Sequence, residues 1–369
     1  MRHMALSLTL CLAACGSDTS VSRIRVGQYN IELLNTFKLS DQENAQVDAA
    51  VQVINRFTPD IIAINEIQYP VTNDSMPGDR DYGETNARTF ANRLSAAGGP
   101  KYDHVVITLG NWGYKWDGYD SATHDAYFRS TSNGSVPGAI NSAIISRYPI
   151  VRDQVRVIVD VPWGDLQDSK VAELQQDLGV SVPAGYPVFS NALVVVPVDV
   201  EGTIVYMVLL HTTPPLNPEI NKYRNRDQLL GLRQFVDGQL PNHDGLPTDA
   251  RFVLAGDFNA DPDHGDGFMD TIQSLLSHPS LATFNPTGAG TVGVNPEFNT
   301  TASVCPSDGS PDPAGGKQFR LDYLLPSKTL GDPIDGALFY PSRSDAPEDW
   351  KLACGASNHM FLWAELSLN

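Results

Sequence analysis

Six apolar segments, spread along the chain, each meet a side chain that can bind a metal or exchange a proton. They are residues 24–30, 61–66, 205–211, 252–259 and 320–325, and Ser357-Asn358-His359 with the apolar run after it. Apolar runs of this length predict buried strands, and the polar residues mark where each strand leaves the core. Strand ends that carry carboxylates, amides and imidazoles can gather on one rim of a sheet. Such a rim could hold a divalent metal and a phosphate.

Helical patterns alternate with these strands. Ser40-Asp41-Gln42-Glu43 has the spacing of a capping box, and apolar residues from Val47 to Phe57 recur at helical spacing before Thr58-Pro59. Similar patterns predict helices over residues 84–97, 223–236 and 267–277.

Strands nevertheless outnumber helices. Apolar runs predict them near residues 104–108, 139–146, 190–198, 203–211, 251–256, 320–325 and 360–366. There are too many for a simple doubly wound sheet, and the helices are too many for a pure β-sandwich. The pattern favours an α/β sandwich, in which two packed sheets carry helices outside. Three stretches, 109–138, 160–189 and 285–318, look like additions to this framework, and the first is rich in aromatic residues.

The N-terminus predicts export. Residues 1–14 combine a basic start with an apolar stretch that is shorter than the about 20 residues needed to span a bilayer. Leu12-Ala13-Ala14-Cys15-Gly16 resembles a bacterial lipobox, which would make Cys15 the lipidated first residue and residues 15–22 a polar tether. An ordinary signal peptide is the alternative. We therefore expect a cell-envelope lipoprotein or an extracellular protein, in which residues 23–369 form one domain.

Export gives the cysteines a specific meaning. Cys11 would leave with the signal peptide and Cys15 would carry lipid, which leaves Cys305 and Cys354 as the pair available for a disulfide. Both are expected in loops just before ligand-bearing segments. The alternative is two buried free thiols.

The overall charge limits the kind of partner. A formal net charge of −18 and an isoelectric point near 4.7 exclude a surface built to neutralise many phosphates. A high-affinity reader of nucleic-acid sequence is therefore not expected, although a few local cations and a metal would suffice for weak nucleic-acid binding. A monomer is expected.

The candidate metal ligands are oxygen donors. Asn30, Glu66, Asp257 and Asn259 offer the carboxylate and amide oxygens that Mg²⁺, Mn²⁺ and Ca²⁺ prefer. In an extended segment, Asp257 and Asn259 would point to the same side and Phe258 into the core. Zinc is less favoured, because no tight His/Cys ligand motif such as His-Glu-x-x-His is present.

Two histidines complete the candidate site. His211 and His359 each follow or precede an apolar run, which suits acid–base work and the stabilisation of developing charge. Asp322 could accept a hydrogen bond from one imidazole and fix its tautomer.

The order of these motifs resembles the endonuclease/exonuclease/phosphatase superfamily, over residues 23–369. The resemblance implies a four-layered α/β sandwich that hydrolyses phosphate esters by metal-assisted attack of water. Gly256-Asp257-Phe258-Asn259 resembles its deoxyribonuclease branch more than its inositol-phosphatase branch. The motifs are Asn30, Glu66, residues 141–150, His211, residues 256–259, residues 320–323 and residues 357–359.

The resemblance also implies roles for the residues of the chain. Asp257 would orient or deprotonate the attacking water, and Asn259 would hold a phosphate oxygen or the metal. His211 and His359 would bind the phosphoryl oxygens, with Asp322 orienting His359.

The same resemblance implies that Glu66 is the principal metal ligand, with Asn30 beside it. Asn358 is a departure, because the family usually has Asp at this position. Its amide can still supply a ligand oxygen, but the site loses one negative charge. A second metal is therefore expected to bind weakly.

Three functions remain open on the sequence alone. The first is an exported Mg²⁺-dependent phosphodiesterase of the nuclease type. The second is a hydrolase of small or lipid phosphodiesters such as sphingomyelin, for which the aromatic stretch 109–138 could contact bases or a lipid interface. The third is a surface lipoprotein that keeps the fold and only binds.

Overall fold

The computed structural model describes residues 22–70, 82–132, 136–291 and 319–368. Within these ranges no helix is both long enough and apolar enough to cross a membrane. The expected signal peptide, Cys15 and almost all of the tether lie outside them. So does Cys305, and its pairing with Cys354 stays a prediction.

The described ranges contain twelve strands and seven α-helices. The strands are β1 (Arg23–Leu34), β2 (Ile61–Ile67), β3 (Tyr82–Gly83), β4 (His104–Thr108), β5 (Asn141–Ser146), β6 (Arg156–Ile158), β7 (Leu193–Val200), β8 (Thr203–Leu210), β9 (Arg251–Asp257), β10 (Asp322–Pro326), β11 (Asp335–Phe339) and β12 (Phe361–Ser367). The helices are α1 (Thr36–Ser40), α2 (Ala45–Phe57), α3 (Thr85–Ala96), α4 (Val171–Leu178), α5 (Ile220–Val236), α6 (Met269–Leu276) and α7 (Pro347–Ala356).

The strands form two mixed sheets. The seven-stranded sheet has the order β11-β12-β1-β2-β5-β4-β3, and the five-stranded sheet has the order β10-β9-β8-β7-β6. In each sheet one adjacent pair is parallel, β1 with β2 and β8 with β9, and the other pairs are antiparallel. The first and last strands lie side by side, since β1 pairs with β12.

Alternation along the strands builds the layers. In β2, Ile61 and Ala63 pack between the sheets, whereas Ile62 and Ile64 pack on the outer side with α2 and α3. The five-stranded sheet likewise buries its outer face against α5 and α6. The expected α/β sandwich of two packed sheets flanked by helices is therefore confirmed.

Some boundaries differ from the sequence-based prediction. The capping box at residues 40–43 does not start α2; Ser40 ends the short α1 instead. Asn44 caps α2, because its side chain accepts a hydrogen bond from the Val47 N–H at 3.1 Å. The prediction was wrong there because Ser40 and Asn44 can both cap a helix, and the sequence pattern does not choose between these two residues.

Other elements were not expected from the sequence. The strands β3, β6 and β11 are short, and the helix α7 carries few large apolar residues. Cys354 lies within α7 and not in a loop, which corrects the expectation for this cysteine. The inward face of α7 is made by Trp350 and two small residues, Ala353 and Ala356, so its helical periodicity is weak in the sequence.

Candidate active site

The topology brings the expected strand ends together. The parallel pairs β1–β2 and β8–β9 place Asn30, Glu66, His211 and Asp257 at the same edge of the sandwich. Strand β10 runs antiparallel to β9, so its first residue, Asp322, lies opposite Asp257. Residues distant in the sequence thus share one site because of strand direction.

Asn30 lies between the two carboxylates. Its Nδ2 donates to Glu66 Oε1 at 3.1 Å and to Asp257 Oδ2 at 3.0 Å. Its Oδ1 accepts from the Glu32 N–H at 3.1 Å, and Glu66 Oε2 accepts from the Leu33 N–H at 3.1 Å. For Oδ1 to bind a metal, the amide would have to rotate and give up the bond from Glu32. Its observed role is to hold Glu66 and Asp257 side by side.

Both histidines face Asp257. Its Oδ2 lies 3.4 Å from His211 Nε2 and 3.8 Å from His359 Nε2. The other ring nitrogen of His359, Nδ1, lies 2.6 Å from Asp322 Oδ2. The expected orientation of His359 by Asp322 is therefore present in the geometry.

The charges in this cluster change one another's pKa. Burial by itself lowers the pKa of His359, but Asp322 and then Asp257 outweigh it and raise the pKa to about 10. Burial raises the pKa of Asp257, yet His359 and His211 bring it below its usual value. Burial is also the main reason why the pKa of Asp322 rises to about 6. The geometry thus favours an imidazolium at His359 beside an ionised Asp257.

The pKa of His211 is shifted by the same two effects, burial and neighbouring carboxylates. Burial acts to lower its pKa, while the hydrogen bond and charge of Asp257 and the charge of Glu66 raise it further than burial lowers it. The balance therefore shifts toward the cationic form. Two buried imidazoles beside carboxylates can attract the oxygens of a phosphoryl group.

Asn259 reaches the site differently from the expectation. Strand β9 ends at Asp257, and Asn259 has a φ of +45°, so the two residues do not continue one extended segment. The Asn259 N–H donates to Asp257 Oδ1 at 2.9 Å, and its Nδ2 donates to the Thr212 carbonyl at 3.0 Å. Asn259 therefore holds the Asp257 carboxylate through its backbone.

The turn around this segment depends on Gly256. A Cβ there would lie 1.9 Å from the Leu210 carbonyl oxygen, so only glycine allows β8 and β9 to approach at this point. Phe258 points into the core, as expected, and stacks on Tyr323 with ring centroids 5.0 Å apart.

The motif Ser357-Asn358-His359 lies at the site beside β1. Ser357 Oγ donates to the Asn30 carbonyl at 2.7 Å and accepts from the His359 N–H at 3.1 Å. Between these residues, Asn358 carries a buried Oδ1 with no hydrogen-bond partner among the described residues. A buried oxygen without a donor is suited to a cation.

The donor set fits a divalent cation. Glu66, His211 and Asp257 offer ligand atoms that lie within 4.8 Å of one another, and Asp257, Asp322 and His359 form a second such group. Asp257 belongs to both groups. The carboxylates of Glu66 and Asp257 match the chemistry of Mg²⁺-type ions.

Sequence reasoning missed two amides below the site. Gln28 Nε2 donates to Asn65 Oδ1 at 3.1 Å and to Asp322 Oδ1 at 3.2 Å, which joins the two sheets. Asn65 Oδ1 also accepts from the Asp257 N–H at 3.1 Å. The available signal was the spacing, since Gln28 is two residues before Asn30 and shares its face of β1.

Comparisons with known proteins agree with this architecture. A structure from Beutenbergia cavernae, described as an endonuclease/exonuclease/phosphatase, is similar with a TM-score of 0.55 and 18% identity, over 94% of this chain and 72% of that one. A D. rerio TDP2 structure with a single-stranded DNA product has a TM-score of 0.50 and 14% identity, over 94% of this chain and 99% of that one. These identities show a shared fold alone.

The sequence itself identifies the family. No curated protein matches the chain. The model of the Endonuclease/Exonuclease/phosphatase family matches residues 27–345, which include every strand from β2 to β11 and the whole Asn30 to Asp322 part of the site. The chain therefore belongs to the endonuclease/exonuclease/phosphatase family.

Proposed function

We propose that the protein is a divalent-metal-dependent phosphoesterase that hydrolyses phosphodiester bonds in the manner of a nuclease. The family to which it belongs consists of hydrolases that act on phosphoesters. The observation that carries the proposal is the buried cluster in which His211 and His359 both face Asp257, while Asp322 supports His359.

Glu66 is the proposed principal metal ligand, and Asn358 and a rotated Asn30 amide are its proposed neighbours. Mg²⁺ is the preferred ion, and Mn²⁺ or Ca²⁺ would suit the same oxygen donors. When bound, the metal would polarise the phosphoryl group and offset its negative charge. The unpartnered Oδ1 of Asn358 supports its place in this set.

Asp257 is the proposed partner of the attacking water. Its lowered pKa keeps the carboxylate ionised, and the Asn259 N–H and Asn30 Nδ2 fix its two oxygens. An ionised, fixed carboxylate can orient a water and accept its proton. The Asn259 amide has two N–H groups. One donates to the Thr212 carbonyl, and the other could donate to a phosphate oxygen.

His211 and His359 are the proposed groups that stabilise charge on the phosphoryl oxygens. Their pKa values are both raised, which shifts each imidazole toward the cationic form that a developing negative charge needs. Asp322 and Gln28 then act as positioning residues, because Asp322 contacts His359 Nδ1 and Gln28 in turn donates to Asp322.

Hydrolysis of bis-p-nitrophenyl phosphate, measured with Mg²⁺ and with EDTA, tests this function. We expect turnover with Mg²⁺ and its loss with EDTA, and a Glu66→Gln variant should resemble the EDTA sample. A panel of duplex DNA, RNA, sphingomyelin and phosphomonoesters then ranks the substrates. Folded protein that binds phosphate esters without cleaving any of them would instead support the non-catalytic alternative.

A further inference from the structure

A pocket opens directly beside the candidate active site. Its volume is about 290 Å³, and Asn259 forms part of its wall. Three loops build the rest. They contribute Pro214, Pro215 and Leu216 after β8, residues 260–261 and 264–268 after β9, and Phe319 and Leu321 before β10.

The walls of the pocket are mostly apolar. The rings of Pro214, Pro215, Phe268 and Phe319 line it, and Leu216 stands at its mouth with 61% of its surface exposed. An apolar side chain exposed to this degree beside an apolar pocket marks a surface that a ligand can cover.

Glycines bring the backbone close to these rings. A Cβ at Gly265, where φ is +103°, would lie 3.5 Å from Phe319 Cε1. A Cβ at Gly267 would lie 3.4 Å from Pro215 Cγ. Because the loop has no side chain at these two positions, the space between the rings stays open.

The charged residues that line the pocket do not favour a phosphate as its occupant. Its lining includes Asp261, His264 and Asp266, and contains neither Lys nor Arg among the described residues. The nearby Arg320 guanidinium donates instead to Asn285 Oδ1 at 2.8 Å and to the Phe284 carbonyl at 3.0 Å. Anionic groups are therefore repelled, and a neutral group is preferred.

We infer that this pocket is a subsite for a nucleobase on the substrate whose phosphate binds beside Asn259. This inference rests on the proposed function and names its substrate class as a nucleotide phosphodiester. The aromatic rings of Phe268 and Phe319 suit the stacking of a planar ring. Asp261 already accepts backbone N–H bonds from Asp263, His264 and Arg320, whereas the exposed carboxylate of Asp266 can accept from the N–H groups of a base, which a hydrocarbon chain would cover without a hydrogen bond.

Calorimetric titration with Mg²⁺ tests the subsite. The probes are thymidine 5′-monophosphate and 2-deoxyribose 5-phosphate, which differ only by the base, and hexyl phosphate, which carries a chain. Free phosphate is assayed after each titration to exclude turnover. We expect the base to tighten binding about tenfold, in line with base stacking on aromatic side chains.

Gly267→Leu is the informative variant, because its side chain would fill the pocket. It should lower the affinity for thymidine 5′-monophosphate to that for 2-deoxyribose 5-phosphate, which itself should not change. Gly164→Leu is the matched control, since a Cβ at Gly164 meets nothing within 4 Å. Should Gly267→Leu fail to fold, Leu216→Ser removes an exposed wall of the pocket and should reduce the base preference in part.

Three results would overturn the subsite. These are equal affinity for the two sugar phosphates, a base preference that survives in Gly267→Leu, and tighter binding of hexyl phosphate than of thymidine 5′-monophosphate. Hydrolysis of bis-p-nitrophenyl phosphate is measured on the same samples. A base preference without hydrolysis would refute the proposed function and leave the subsite, whereas hydrolysis without a base preference would refute the subsite alone.

Discussion

Replacement of Asp322 by Asn tests how His359 is held. The carboxylate is buried, with Oδ2 2.6 Å from His359 Nδ1 and Oδ1 3.2 Å from Gln28 Nε2. Asparagine has the same shape but only one acceptor oxygen, so it cannot accept from both neighbours. His359 would lose its nearest negative charge while the fold is kept.

The size of the effect follows from the pKa of His359. With Asp322 present the pKa is raised to about 10, and without it the value should fall toward the ordinary 6.5, although Asp257 remains 3.8 Å away. At pH 8 the imidazolium fraction would drop from about 99% toward a few per cent. Loss of one group that stabilises transition-state charge costs about 100-fold to 1000-fold in kcat.

The assay is kcat for bis-p-nitrophenyl phosphate with saturating Mg²⁺ between pH 6 and pH 9. Asp322→Asn should be most impaired at high pH and recover in part toward pH 6, where the imidazole is protonated again. Asp237→Asn is the matched control, because it changes another carboxylate–histidine pair, 2.9 Å from His278 Nε2. Its kcat should equal that of the wild type.

Asn358→Ala provides the comparison that could refute this reasoning. Its Oδ1 would supply one neutral oxygen among the proposed metal ligands, so we expect a smaller loss of kcat than in Asp322→Asn. Asn358→Asp should add a negative charge and tighten the binding of a second cation in a calorimetric titration. If Asn358→Ala is as impaired as Asp322→Asn, the amide contributes as much to catalysis as the support of His359, and our ranking of the two roles is wrong.

Four further predictions concern the same site. Glu66→Gln should raise the Mg²⁺ concentration needed for half-maximal activity sharply, and an unchanged metal titration would remove Glu66 from the site. Asp257→Ala should lower kcat by about 100-fold or more, and near wild-type turnover would exclude its role with water. Gln28→Leu should lower kcat with little change in KM, whereas Gln234→Leu, which removes another buried amide, should affect only the melting temperature. In EDTA the wild type should melt at a lower temperature at pH 9 than at pH 6.5. Protonated His359, whose pKa is raised to about 10, stabilises the fold fully below pH 6.5, and this stabilisation is lost as the pH rises toward 10. The difference in melting temperature should shrink in His359→Gln.

Local patterns in the sequence predicted the framework well. The helix α3 begins after Glu84 and ends at Ala96, close to the expected bounds, because its apolar spacing and its stop at Gly98 are local signals. The polar residues Asn30, Glu66 and His211 were also recognisable, because an apolar run followed by a polar ligand needs no tertiary information. The expected strand ends at Asn30 and Glu66 were wrong, since β1 continues to Leu34 and β2 to Ile67. The motif order was enough to suggest the family.

The sequence did not predict how these residues touch one another. That Gln28 links Asn65 to Asp322, and that Asn30 separates Glu66 from Asp257, depends on strands far apart in the chain meeting at set registers. No local pattern contains that information.

The sequence by itself determined which chemical groups this protein brings to its site, because residue type and strand periodicity are local properties. Tertiary structure alone decided their charge states and their surroundings. The pKa of His359 rises to about 10 only because Asp322 and Asp257 meet it in a buried place. The pocket beside Asn259 likewise exists only because three separate loops converge there. Both depend on distances between residues remote in sequence, which the folded chain fixes.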